Sequence, residues 1–143
     1  MKYVQICLSK SILYLQYRRT AWKEAFAGGK SVTIEALEAY GADVKAGVAR
    51  CMGMQDFYLR LVGMELTDEN FDKLDRALAA QDSREAFEAA HALKGAVGNL
   101  GLTPLFTPLC EITERLRGAE GPADLSGLEG AYRKALERLR SLA

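Results

Sequence analysis

A chain of 143 residues carries one domain's worth of core and too little for two domains of ordinary size. Nearly half of it is apolar, yet no apolar run approaches the roughly 20 residues of a membrane span, so it reads as a soluble globular protein. The formal net charge of +0 hides an asymmetry: Met1–Ser31 holds six Lys/Arg against one Asp/Glu, and Val32–Ala143 holds thirteen against eighteen, an acidic body that does not suit a nucleic-acid surface.

Met1–Ser31 mixes Tyr, Arg, Gly and aliphatic residues without a stable period, and "AGGK" separates it from the first clear helix. Its apolar pieces are interrupted by polar and basic residues and no small-residue cleavage site follows them, which argues against a secretory signal. We expect a basic leader that is either poorly ordered or a start-site artefact, with Gly28-Gly29 encoded by a ribosome-binding purine run and Val32 by a GTG codon. Residues 32–143 are then the folded domain. Cys7, Cys51 and Cys110 are odd in number and widely spaced, the usage of reduced thiols in a cytoplasmic protein.

From Val32 on, the residues are those of helices. "VTIEALEAYG" predicts a short helix ending at Gly41, and "ADVKAGVARCMG" a second one with Asp43 at its cap. Residues 54–81 follow as a long amphipathic helix, open to a kink near Thr67, with Phe57, Leu61, Met64, Phe71, Leu74 and Leu78 on its apolar face. Asp82 and Ser83 can cap the next helix, which stops near Gly101. "LTPLFTPLCEITERLRG" restarts at one of two Thr-Pro pairs, each offering a capping hydroxyl and a proline at the first helical position. Gly118 and "GPAD" end it, and a last helix places Leu128, Tyr132, Leu136 and Leu139 on one face. Short turns between helices predict an all-α, antiparallel four-helix bundle with short additional N-terminal helices.

The stretch "AAHALKGAVGNLG", Ala89–Gly101, holds the only histidine and three glycines within helical sequence. Ala86, Ala90, Leu93, Val97 and Leu100 cluster on one side of this helix, and His91 lies about 140° from their centre. A lone histidine is ordinarily a packed or solvated bystander, but one that serves a core should be on the apolar face. Lys94, Gly95 and Gly98 follow His91 on the outer face, and Arg84, Phe87 and Glu88 precede it as a rim. Each interior glycine costs a helix up to about 1 kcal/mol relative to Ala, a loss that an open docking platform beside the ring would explain.

Imidazole titrates near neutrality, so a neutral nitrogen is available as a nucleophile. A hydrolytic triad needs a nearby hydroxyl or thiol, and none shares this face. Metal binding needs further ligands, and no second histidine exists. Accepting a phosphoryl group needs only an accessible ring and a balancing cation, and Lys94 is one turn away.

"HALKGAVGNLG" resembles the signature of histidine-containing phosphotransfer (HPt) domains, His-x-Leu-Lys-Gly followed by a later Gly, matched here by His91, Leu93, Lys94, Gly95 and Gly101. The flanking helices are similar too, so the resemblance covers roughly Val32–Ala143 and leaves the leader outside. It implies that His91 is the phosphoacceptor, that Lys94 stabilises the phosphoryl group, and that Gly95 keeps the docking surface open. It also implies a phosphocarrier and not an enzyme, with the catalytic carboxylate and magnesium on a partner receiver domain and no metal or cofactor of its own. Many members have a hydroxyl residue where this chain has Ala96, which removes a possible hydrogen bond and leaves access intact.

The expected partners are a response-regulator receiver domain and a hybrid sensor histidine kinase, with no nucleic acid and no membrane, and the chain acts as a monomer. Two other readings stay open: a non-catalytic helical docking module, and a phosphoacceptor domain detached from a chemotaxis-type kinase. The chain has no Gly-rich nucleotide loop with which to phosphorylate itself.

Overall fold

Capping chemistry sets most of the helix starts in the computed structural model, which describes residues 32–143; the expectation for residues 1–31 lies outside them. The Thr33 hydroxyl oxygen accepts the Ala36 N–H at 3.2 Å, and α1 runs Ile34–Tyr40 until Gly41 turns left-handed at φ +105°. Asp43 accepts the Ala46 N–H at 3.1 Å and starts α2, Val44–Arg50, as expected.

The long helix expected over residues 54–81 is two helices, α3 (Gln55–Glu65) and α4 (Glu69–Ala79). Between them the Thr67 hydroxyl donates to the Met64 carbonyl at 2.9 Å, and the Asp68 carboxylate accepts the Asn70 N–H at 2.8 Å. A new cap starts a new helix, so the kink expected near Thr67 is a full break. The apolar phase changes with it. Tyr58, Val62 and Glu65 are the buried residues of α3, whereas Phe57 and Leu61 are half-buried and Met64 is exposed. In α4 the expected Phe71 and Leu74 are buried and Leu78 is half-buried.

Asp82 caps α5 (Ser83–Asn99) by accepting the Glu85 N–H at 3.1 Å. Ser83 takes no part in that cap. Its hydroxyl donates to the Gly121 carbonyl at 2.7 Å and ties the start of α5 to the loop after the next helix. That helix, α6, spans Thr103–Leu116, and α7 spans Leu128–Arg140. Neither Thr-Pro pair supplies a hydroxyl cap, because Leu102 occupies the cap position and Thr103 and Pro104 are already helical. The buried Thr113 is satisfied within its own helix, donating to the Leu109 carbonyl at 2.6 Å.

Helices α4 to α7 form the antiparallel four-helix bundle. Each packs on the next, and Phe71 of α4 stacks on Tyr132 of α7 at 6.5 Å to close the ring. Leu74, Leu93, Leu105, Ile112 and Leu139 are fully buried at its centre. The short helices α1 to α3 are joined to it by two phenols: Tyr40 donates to the Ala135 carbonyl at 2.9 Å and Tyr58 to the Leu100 carbonyl at 2.7 Å.

Two contacts hold α2 against the end of α5. Arg50 donates to the Gly98 and Asn99 carbonyls, each at 3.2 Å, placing a cation where the helix dipole is negative. Gly101, left-handed at φ +68°, accepts the Asp43 N–H at 2.7 Å, and a Cβ there would collide with the Asp43 carbonyl. Only glycine fits that turn. Among the described residues, no helix is long and apolar enough to cross a membrane.

Candidate functional site

His91 is the ninth of the seventeen residues of α5, far from either frayed end. Ala86, Ala89, Ala90, Leu93 and Val97 bury the opposite side of the helix, so the imidazole is carried on a rigid element and is itself exposed. Its ring stacks on Phe87, one turn earlier, with centroids 5.7 Å apart and planes 17° from parallel. Among the described residues this stack is the contact the ring makes, and no carboxylate or hydroxyl orients it as in a triad.

One turn beyond His91, a Cβ at Gly95 would meet nothing within 4 Å. Gly98 is different. The sequence places it on the same open platform, but a Cβ there would lie 2.8 Å from the ring of Phe106 on α6. Gly98 is therefore a packing glycine that lets α5 and α6 approach, and the expectation that it faces open space is corrected.

The remaining expected residues divide between the two flanks of α5. Glu88 pairs with Arg84 at 3.7 Å and with Lys73 of α4 at 3.9 Å, exposed contacts of small energetic value. Phe87 leans the other way and lies under the Arg117 guanidinium, 5.4 Å from the ring centre. Lys94 is half-buried on that same side, close enough to Cys110 and Glu114 of α6 for its charge to lower the pKa of both. Burial outweighs it at Cys110, pushing the thiol up, and a protonated thiol is a poor nucleophile. At Glu114 the hydrogen bond from Arg117 is the larger influence; that contact and the Arg117 charge hold the carboxyl below its usual range, with Lys94 adding to them.

Sequence reasoning thus finds Phe87, His91, Lys94 and Gly95 on one stretch of surface and misses Glu114 and Arg117 beside them. Their spacing carries a signal, since Cys110 and Glu114 of α6 are four residues apart and Arg117, at its C-cap, follows three later on the same side. What decides which partner that face meets is the register of two helices, which no local pattern contains. A solvent-facing imidazole on an aromatic shelf, with a lysine one turn on and none of the described residues covering it, can accept an electrophilic group brought by another molecule.

The family model described as Hpt domain matches residues 64–142, more than half of the chain. The match begins at Met64, so α1, α2 and most of α3 precede it, a narrower span than the resemblance read from the sequence. Comparison with curated proteins and with solved structures gave no match.

Proposed function

This chain belongs to the Hpt domain family, and on that premise we propose that His91 accepts a phosphoryl group from the aspartyl phosphate of a response-regulator receiver domain and returns it to such an aspartate. Hpt domains are phosphotransfer modules of two-component signalling and act as phosphocarriers. The observation that carries the finer reading is the exposure of His91 at mid-helix, with open space at Gly95 one turn away.

In the transfer, the lone pair of one imidazole nitrogen attacks phosphorus. A nitrogen–phosphorus bond forms, the phosphorus–oxygen bond to the aspartyl carboxyl breaks, and the carboxylate leaves with that electron pair. The ring's N–H proton stays on the other nitrogen. Lys94 supplies positive charge to the phosphoryl oxygens, and Phe87 holds the ring plane by stacking. The receiver brings the catalytic carboxylate and its magnesium, while this chain contributes a positioned ring and an uncovered approach. The domain of residues 32–143 works in the cytoplasm, between a hybrid sensor kinase and a response regulator.

The test is incubation with a receiver domain phosphorylated by acetyl phosphate in the presence of magnesium. Wild type should gain a label that is lost in acid and kept in base, as a phosphoramidate bond requires, and His91→Gln should gain none. Label persisting in His91→Gln would move the acceptor elsewhere. A receiver that binds wild type and His91→Gln alike, with neither labelled, would make the domain a docking module.

A further inference from the structure

We propose that Glu114 is a resident counter-anion, displaced by the phosphoryl group of His91, and that Arg117, released from it, becomes a second phosphoryl-holding cation beside Lys94; the proposal rests on the phosphoacceptor reading of His91. The juxtaposition comes from the register of α5 against α6. A Cβ at Gly98 would meet the ring of Phe106, and Phe87 lies under Arg117. Eleven residues back along α5 match eleven forward along α6 to its C-cap, an antiparallel register that puts Glu114 at the level of Ala90, the residue before His91.

Arg117 is tied to this site from two sides. Its Nη2 and Nε donate to the two carboxylate oxygens of Glu114 at 3.0 and 3.3 Å, and its guanidinium rests on the ring that His91 stacks upon. The guanidinium is thus separated from the imidazole by no more than the Arg117–Phe87 and Phe87–His91 distances together. Both members of the ion pair are more than half exposed, at 54% and 61%, so the pair contributes little to folding and can exchange partners at little cost.

A phosphoryl group changes which anion wins. It carries up to about two negative charges and three acceptor oxygens, against one charge on Glu114, and guanidinium binds it through a charge-assisted fork. Arg117 and Lys94 should therefore turn toward the phosphorylated ring. The carboxylate of Glu114, one level from His91 on the neighbouring helix, then loses its partner, and its repulsion of the phosphoryl group favours onward transfer. One residue retains the phosphoryl group and the other limits the retention, which suits a carrier that must both load and unload.

The experiment uses the full chain at equilibrium with an acetyl-phosphate-charged receiver, reading the phosphorylated fraction, the lifetime of phosphohistidine after the receiver is removed, and the melting temperature. Arg117→Gln should lower the phosphorylated-to-free ratio about fivefold, Arg117→Lys should recover part of that loss, and Glu114→Gln should raise the ratio by a similar factor. Melting temperatures should stay near that of wild type, since both side chains are exposed. If wild type is labelled and the Arg117 and Glu114 variants leave ratio and lifetime unchanged, or move them in the same direction, the exchange is overturned. A wild type that takes no label at all would overturn the phosphoacceptor reading, and this inference with it.

Discussion

A methyl group at Gly95 would meet no atom within 4 Å, whereas one at Gly98 would press on the Phe106 ring at 2.8 Å. Two helical glycines three residues apart should therefore answer substitution in opposite ways. Gly95→Ala should raise helix propensity by up to about 1 kcal/mol and hold or raise the melting temperature. Gly95→Arg should still fold, because the added side chain points into solvent, yet it should block a receiver approaching His91 and reduce transfer at least tenfold. Gly98→Leu should cost stability, about 1–3 kcal/mol, as α6 is forced away. Phe106→Ala in the same chain should return part of that loss, since it removes the ring that the new side chain strikes. Melting curves together with a transfer assay separate the two glycines: unfolding of Gly95→Arg would make it a packing residue, and normal transfer by a folded Gly95→Arg would show that access is not what it protects.

At the scale of elements, the break between α3 and α4 depends on Asp68, whose carboxylate accepts the Asn70 N–H at 2.8 Å. Asp68→Ala should cost about 1 kcal/mol, read as a lower urea midpoint with an unchanged slope. A stability equal to wild type would mean that packing alone sets the break. This break also shows where the sequence stops being legible. Met64 and Phe71 are seven residues apart, a spacing that continues one helical face across the turn, so periodicity joins two helices whose buried faces differ. Where one helix carries its whole signal, the sequence is legible: the Asp82 cap, the apolar side of α5 and the outward His91 all follow from residues within reach of each other. Gly98 and Arg117 do not, because their neighbours Phe106 and Phe87 belong to another helix, and the helix-to-helix register is fixed by the packed core. The same limit hides Tyr58 as an anchor, since its partner, the Leu100 carbonyl, is 42 residues away.

For the molecule as a whole, the phenols of Tyr40 and Tyr58 join α1–α3 to the bundle, and both bonds need the phenolic proton. Burial pushes each pKa up to about 12, at Tyr40 against the opposing charge of Arg138. In the unfolded chain a tyrosine titrates near 10. The folded state therefore keeps these protons when the unfolded state has begun to lose them, so their contribution is fully present below about pH 10 and is lost as pH rises toward 12. The buried Tyr132 is shifted in the same direction, chiefly by desolvation, and adds to the alkaline fall. Once ionised, a phenolate at Tyr40 or Tyr58 confronts a carbonyl oxygen, which repels it where the hydroxyl had donated. Tyr58→Phe should cost about 1–2 kcal/mol at neutral pH, because the Leu100 carbonyl loses its donor. The double variant Tyr40→Phe/Tyr58→Phe should begin less stable at pH 8 yet lose less between pH 10 and 12, with Tyr132 and the raised Cys110 thiol contributing to the slope that remains. Urea midpoints measured across that range decide the matter: a double variant that falls as steeply as wild type would show that the alkaline sensitivity resides elsewhere than in these two tyrosine bonds between the N-terminal helices and the bundle.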